Sequence, residues 1–300
     1  MPHRVDGSMP LISVVMSTYR EVADGKRGVG ASSTLARAID SVVKQRYPAW
    51  ELWVVADCPP EADVRRIRAL IESYNDHRIH FHNLPARAGI IGVGAVPKQA
   101  GVARSSGDYL AFLDADNEWT PKHLEHAIAA FNKDSRLDMI YCDTIVRLQN
   151  HQSNDLLKFF WVPYQVFGAM WGESFTWRKP DWDGESLEKL QHFNFIDASE
   201  AVMTKAAYVR AGGVRATPYY DWKLWQQMIA VKRNHFKHID HIGLYYTTST
   251  LSQHQGYFRL SQLAMLPAYI GSLSANLNQI GNTKKKTLEH YQKLHRHKHS

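Results

Sequence analysis

Cysteine is scarce in this chain. Cys58 and Cys142 are the two present, which is too few for a disulfide framework and the wrong spacing for a thiolate metal site. Both read as reduced core thiols, as expected of a cytoplasmic protein. Long hydrophobic runs are also missing, and none approaches the roughly 20 residues that span a bilayer. Met1 to Met9 is polar and has no apolar h-region, so no signal peptide is expected. A dinucleotide fingerprint is absent too. Gly89, Gly92 and Gly94 form a Gly-x-x-Gly-x-Gly run, whereas the fingerprint needs Gly-x-Gly-x-x-Gly early in the chain. Acidic charge is in deficit: 36 Lys and Arg stand against 29 Asp and Glu, a net charge of +7. That balance suits an anionic partner, whether sugar nucleotide, nucleic acid or anionic lipid. The hydrophobic content, 44% of 300 residues, is enough for a real core and excludes global disorder.

What is present is a regular alternation of strand and helix patterns. Leu11 to Ser17 is a near-continuous apolar run, as in a strand buried on both faces. Leu35, Ala38, Ile39, Val42 and Val43 make one stripe of a helix over Thr34 to Gln45, capped by Ser32 or Ser33. Glu51 to Ala56 is a second strand and Arg78 to Asn83 a third, with a helix over Asp63 to Tyr74 between them. A short helix is expected over Pro97 to Ser105, another over Pro121 to Lys133, and a strand from Met139 to Cys142. This βαβα order predicts an α/β fold with a mostly parallel sheet and helices on both faces. Strands return over Phe236 to Tyr246, and Phe258 to Leu277 has the pattern of an amphipathic helix. From Asn150 to Leu190 aromatic residues crowd together, among them Trp161, Trp171, Trp177 and Trp182. Such a stretch serves either as a satellite hydrophobic cluster or as a platform for sugar rings or bases. The tail from Lys284 to His299 is strongly basic, as solvated chain ends often are.

The chain is organised around Gly107-Asp108-Tyr109-Leu110-Ala111-Phe112-Leu113-Asp114-Ala115-Asp116-Asn117-Glu118-Trp119. Tyr109 to Leu113 is apolar and aromatic, as in a buried central strand. Two carboxylates one residue apart at the end of such a strand need something to offset their charge. A hard cation with oxygen ligands, shared with phosphate oxygens, is the usual device. In open α/β sheets, ligands sit at the carboxyl ends of strands, where Asp114 and Asp116 fall. A helix N-cap at the following helix accounts for one of the two acids at most.

Phe112 to Pro121 resembles the Asp-x-Asp segment of family 2 glycosyltransferases, and the resemblance runs from about Leu11 to Ser252. It implies a GT-A-like fold that uses a nucleoside-diphosphate sugar, with Mn²⁺ or Mg²⁺ held at Asp116 and Asp114. By the same resemblance, Thr18 and Tyr19 pack around the nucleotide base and Asp57 accepts a hydrogen bond from it. Where the family has two acids on this strand end, Ala56 takes the first place. Asp57 is also a plausible loop acid starting the turn at Pro59 and Pro60. The family's Ala-Arg-Asn element is replaced by Lys98-Gln99, and Lys98 near a helix start can meet a diphosphate as a point charge. Tyr220-Asp221-Trp222-Lys223-Leu224-Trp225 resembles the family's Glu-Asp-x-x-Leu-Trp element. It gives Asp221 as the general base, with a plain N-cap of a helix over Trp222 to Lys232 as the alternative and Asp197 as the next candidate base. Tyr245-Tyr246-Thr247-Thr248 falls where the family often has Tyr-Arg then His; the Arg is absent, and His254 downstream reads first as a surface histidine, with contact to the diphosphate as the alternative.

The expected organisation is a nucleotide-sugar-binding half over residues 1–148, an acceptor half of the same GT-A domain over 149–256, and a helix and basic tail over 257–300. The implied reaction is inverting, metal-dependent transfer from a donor, UDP-sugar in the first instance, to an acceptor hydroxyl. The acceptor would be a glycan, a lipid-linked glycan or modified DNA, with the basic tail suited to peripheral contact with an anionic membrane. Two other readings stay open. One is a sugar-nucleotide nucleotidyltransferase, kept alive by the loop Gly25-Lys26-Arg27-Gly28. The other is a non-catalytic module that binds nucleotide sugar or nucleic acid.

Overall fold

Strand β1, Ile12–Thr18, lies in the middle of the parallel half of the sheet. Its even-numbered apolar side chains Ile12, Val14 and Met16 join one buried cluster, and Val15 joins the cluster on the opposite face. Strand β4, Tyr109–Asp114, divides in the same way, with Ala111 and Leu113 on one side and Leu110 and Phe112 on the other. Side chains alternate across a strand, so a continuous apolar run feeds two cores at once. The computed structural model describes residues 9–19, 33–88, 94–148, 174–192, 194–217, 219–231 and 235–248. All of these fall in one compact unit made of residues 1–153 and 167–249. The 21–33 loop up to residue 32, most of the aromatic stretch, the helix expected over 258–277, His254 and the basic tail lie outside the described residues.

The remaining strands are β2 (Trp50–Ala56), β3 (Ile79–Asn83), β5 (Glu118–Trp119), β6 (Met139–Leu148), β7 (Ser174–Trp177), β8 (Val202–Thr204) and β9 (Phe236–Thr248). The strand order is β3-β2-β1-β4-β8-β6-β9-β5, and β7 pairs with β6. From β3 to β4 every pairing is parallel. Beyond β4 the sheet is mixed: β8 runs antiparallel to β4 and β6, and β9 runs parallel to β6. The parallel pattern expected from βαβα order therefore holds for the first half. It gives way beyond β4, where β8 arrives from far along the chain and runs against both β4 and β6.

Helices α1 (Thr34–Val43), α2 (Glu61–Ser73) and α4 (His123–Lys133) supply much of the first core. Ser33 caps α1, its hydroxyl accepting from the Ala36 N–H at 3.1 Å. Helix α3 (Ala95–Val102) lies against β1 and β2. It starts two residues before Pro97, a proline being tolerated in the first turn because its missing N–H has no helical partner there. At Gly101 a Cβ would run into the Val15 side chain, so glycine lets α3 sit close on the sheet. Helices α5 (Gly184–His192), α6 (Lys205–Arg210) and α7 (Tyr220–Val231) follow, with a 3₁₀ turn at Ala198–Glu200. Gly212 and Gly213 take φ of +79° and +70°, the left-handed conformation that closes α6 and that glycine adopts readily.

A buried ion pair anchors this second half. Lys179 Nζ lies 3.1 Å from Glu200 Oε2, and both side chains are fully buried. Lys179 also donates to the Phe195 carbonyl at 2.8 Å, and the Thr144 hydroxyl donates to Glu200 at 2.7 Å. Burial pushes the Glu200 carboxyl up to about 7, with Lys179 pulling the other way. Among the described residues, no helix is long and apolar enough to cross a membrane.

Candidate active site

Register decides which side chains meet at the carboxyl ends of the parallel strands. Ser17 stands opposite Asp114, and Thr18 stands opposite Ala56. The chain leaves β2 at Asp57, whose N–H donates to the Thr18 carbonyl at 2.9 Å. Thr18, Tyr19, Asp57 and Asp114 thus share one edge. Asp57 is nearly buried, and its Oδ1 accepts from the Ala88 N–H at 2.7 Å. The Thr18 hydroxyl is buried with no hydrogen-bond partner. A buried orphan hydroxyl is uncommon in a folded protein and marks a place where a ligand can supply the missing bond. The Arg87 guanidinium stacks over the Tyr19 ring, 3.9 Å from its centroid.

Lys98 comes from α3 and is completely buried. It is not free to act as a lone point charge. Its ammonium donates to Asp114 Oδ1 at 2.6 Å and to Ser17 Oγ at 2.9 Å. The structure therefore assigns Lys98 to Asp114, whose side chain keeps 37% of its surface exposed.

Asp116 lies on the turn after β4. Burial raises its carboxyl to about 7, and the charges of Asp114 and Asp197 push the same way. The turn is held from below. Asn117 is buried and donates to Ser199 Oγ at 3.1 Å, while its own oxygen accepts from the Thr247 N–H at 3.0 Å. The Trp119 indole donates to the Ser199 carbonyl at 2.6 Å. These bonds tie the Asp-x-Asp turn to the 3₁₀ turn, whose first acid, Asp197, accepts from the Ser199 N–H at 2.7 Å.

Asp221 sits inside the first turn of α7, and its carboxylate accepts from the Trp222 backbone N–H. Asn194 donates to its Oδ2 at 3.0 Å. Two indoles hold α7 to the preceding segment, Trp222 to the Leu190 carbonyl at 2.6 Å and Trp225 to the Ile196 carbonyl at 3.0 Å. Burial raises the Asp221 carboxyl to about 7, helped by the charges of Asp197 and then Asp114. Asp197 is itself raised, first by burial and then by Asp114. Four carboxylates therefore feel one another: Asp114, Asp116, Asp197 and Asp221. Two come from the Asp-x-Asp turn, and two from elements far along the chain.

A divalent cation fits this acid excess, because its charge would relieve the repulsion that holds Asp116 near 7. Among the described residues, no group of three or more His, Cys, Asp or Glu side chains is arranged to hold a metal alone. The protein donors on offer are the carboxylates of Asp116 and Asp114, so a cation here would need further oxygen ligands from a substrate.

The sequence model described as "Glycosyl transferase family 2" matches residues 13–209, more than half of the chain. The chain belongs to glycosyltransferase family 2. The matched stretch includes Thr18, Tyr19, Asp57, Lys98, Asp114, Asp116 and Asp197, while Asp221 lies beyond it. A putative teichuronic acid biosynthesis glycosyltransferase, TuaG of Bacillus subtilis, is 30% identical over 118 residues, 39% of this chain and 40% of that protein. The Escherichia coli protein WfgD is named as a UDP-Glc:α-D-GlcNAc-diphosphoundecaprenol β-1,3-glucosyltransferase. It is 30% identical over 125 residues, 42% of each chain. The chain thus matches about two fifths of the length of these curated relatives. Among solved structures, Staphylococcus aureus TarS with UDP superposes with a TM-score of 0.52 at 16% identity, over 80% of this chain and 61% of that one. A Pyrobaculum calidifontis mannosyltransferase in complex with GDP-Man and Mn²⁺ gives 0.54 at 14% identity, over 83% and 60%. At these identities the likeness is one of fold, and it confirms the GT-A-like architecture for this family member.

Three residues now belong to the site that motif reading did not assign to it: Arg87, Asn194 and Tyr220. Asn194 had no motif to mark it. Tyr220 was visible only as the residue in the place of the family's Glu.

Proposed function

We propose that this family 2 chain transfers a sugar from a nucleoside-diphosphate sugar to an acceptor hydroxyl with inversion. The observation that carries the proposal is the meeting of the Asp-x-Asp turn with Asp197 and Asp221 in one electrostatically coupled cluster. The family match supports it, as do relatives and fold neighbours named for UDP, UDP-Glc or GDP-Man.

In this reading the nucleoside lies over Thr18, Tyr19 and Asp57, with the orphan Thr18 hydroxyl as one hydrogen-bonding group. Mn²⁺ or Mg²⁺, held by Asp116 with Asp114 beside it, would supply Lewis-acid neutralisation of the leaving diphosphate. Lys98 fixes the direction of Asp114 through the 2.6 Å ion pair. Asp221 takes the proton from the acceptor hydroxyl as that oxygen attacks the anomeric carbon. Proton removal, bond formation and loss of the diphosphate then complete one displacement, and a single displacement inverts the centre. A carboxyl raised to about 7 by burial suits this task, because a general base works best with a pKa near the operating pH. Asn194 keeps the carboxylate oriented from its far oxygen.

UDP-sugars are the donors expected first, and a glycan or lipid-linked glycan is the acceptor class. The test is release of UDP or GDP from UDP-Glc, UDP-GlcNAc and GDP-Man in the presence of Mn²⁺, followed with and without a chelator. Chelator-sensitive release from one of these donors is the expected result. Release of pyrophosphate from UTP instead would overturn the proposal in favour of nucleotidyl transfer. Binding of donor with no release and no transfer to any glycan acceptor would leave a binding module.

A further inference from the structure

Tyr220 occupies an unusual position for an aromatic residue. The residue before it, Tyr219, holds a left-handed φ of +55° and is half exposed, at 49%. A bulky residue pays for that conformation with on the order of 1–2 kcal/mol of strain. The twist comes immediately before the helix that carries Asp221, of which Tyr220 is the first residue. Its ring lies against the backbone of Gly94 at the start of α3. A Cβ at Gly94 would come within 3.3 Å of the ring edge, with Lys98 Nζ and Ser17 Oγ just beyond at 3.9 and 4.0 Å. Lys98 Nζ lies 5.0 Å from the ring centroid.

The ring is thus packed on the Lys98–Asp114 side of the site. Its hydroxyl makes no hydrogen bond to any described residue, and the residue remains half-buried rather than sealed. The charges around it are those of Asp114, Asp221 and Asp197, in that order, with Tyr246 also near. Burial and these acids hold the phenol proton on, well above its ordinary range. In a cleft with four carboxylates, the buried lysine of α3, Lys98, is already committed to Asp114 and Ser17. A diphosphate entering there still needs protein hydrogen-bond donors. A phenol that stays protonated is such a donor and adds no negative charge.

We propose that Tyr220 is a donor-binding residue whose hydroxyl donates a hydrogen bond to the diphosphate of the nucleotide substrate, taking the place of a free cation on the Lys98 side of the cleft. This deepens the transferase proposal and rests on it. Tyr220 then acts on binding of the donor and of the diphosphate product, while Asp221, one residue on, acts on the acceptor.

The test is calorimetric titration of wild type, Tyr220→Phe and Tyr220→Ala with UDP, GDP and the corresponding nucleosides, each with Mn²⁺. Tyr220→Phe keeps the ring against Gly94 and Lys98, so its melting temperature should equal that of wild type. Its affinity for the diphosphate that wild type binds should fall roughly tenfold or more, as for loss of a hydrogen bond to a charged group. Its affinity for the nucleoside should not change. Tyr220→Ala removes ring and hydroxyl together and should lose diphosphate affinity at least as far. Diphosphate affinity equal to wild type in Tyr220→Phe overturns the inference, as does an equal loss for nucleoside and diphosphate, which would mean a reshaped pocket. Wild type that binds neither UDP nor GDP would instead sink the transferase proposal, whatever Tyr220 does.

Discussion

Asp221→Asn should slow turnover sharply and, at alkaline pH, make the protein more stable. The charge on Asp221 is held against burial and against the charges of Asp197 and Asp114, so its carboxyl is raised from 3.8 to about 7. A group that binds its proton more tightly in the folded chain than in the unfolded one makes stability fall as pH rises between those two values. At about 1.36 kcal/mol for each pH unit, the full span corresponds to on the order of 4 kcal/mol. The site is half open to water, and solvent screening brings the expected penalty to roughly 1–4 kcal/mol. Asparagine carries no charge and can still accept from Asn194, which donates to Oδ2 at 3.0 Å. In chelator and without substrate, the variant should therefore melt higher than wild type at pH 8. The advantage should be about 2–4 °C for each kcal/mol in a domain of this size. It should shrink as pH falls through about 7 and approach zero only below about pH 4, where Asp221 is protonated in the unfolded chain as well. Transfer should meanwhile fall by roughly 10²–10⁴ in kcat, as expected for loss of a general base. Melting curves for both proteins across roughly pH 4–8, set beside transfer rates, check both halves. A variant that is less stable than wild type at every pH, or that transfers sugar at the wild-type rate, would refute the assignment.

Three further outcomes are expected. Mn²⁺ must displace the proton on Asp116, whose carboxyl stands near 7. Calorimetric affinity for Mn²⁺ with UDP should thus be weaker at pH 6 than at pH 8, and Asp116→Asn should abolish most of it; unchanged affinity in the variant removes Asp116 from the metal site. Asp57→Ala should raise donor KM with little change in kcat, and Asp57→Asn separates the two roles of this acid. Asparagine can still accept from the Ala88 N–H, so donor affinity equal to wild type in that variant would mean Asp57 only holds the loop. Lys179→Met leaves Glu200 buried without its cation and should cost about 3–5 kcal/mol in urea unfolding. Lys179→Met with Glu200→Gln should recover part of that loss, and no recovery would mean the pair is not the source of the cost.

The sequence alone was enough for the first half of the fold. Apolar runs such as Leu11 to Ser17 and Tyr109 to Leu113 can only be buried on both faces, which requires helices on both sides of a parallel sheet. It was also enough to put Asp114 and Asp116 at a strand end, because two acids separated by one residue after such a run have few other places to be. Local chemistry carried these features, so local pattern revealed them. The second half was less legible. Strand β8 is three residues long, too short for periodicity to identify, and its antiparallel partners β4 and β6 lie far back in the chain. Tertiary structure alone decided who pairs with whom in the site. Lys98 meets Asp114 across 16 positions, Ser199 meets Asn117 across 82, and Asn194 meets Asp221 across 27. Hydrogen bonds and charge act over ångströms in space and are blind to sequence separation. The raised carboxyls of Asp116 and Asp221, the ion pair that takes Lys98 out of free solution and the uncommitted hydroxyl of Tyr220 therefore exist only once the chain has folded.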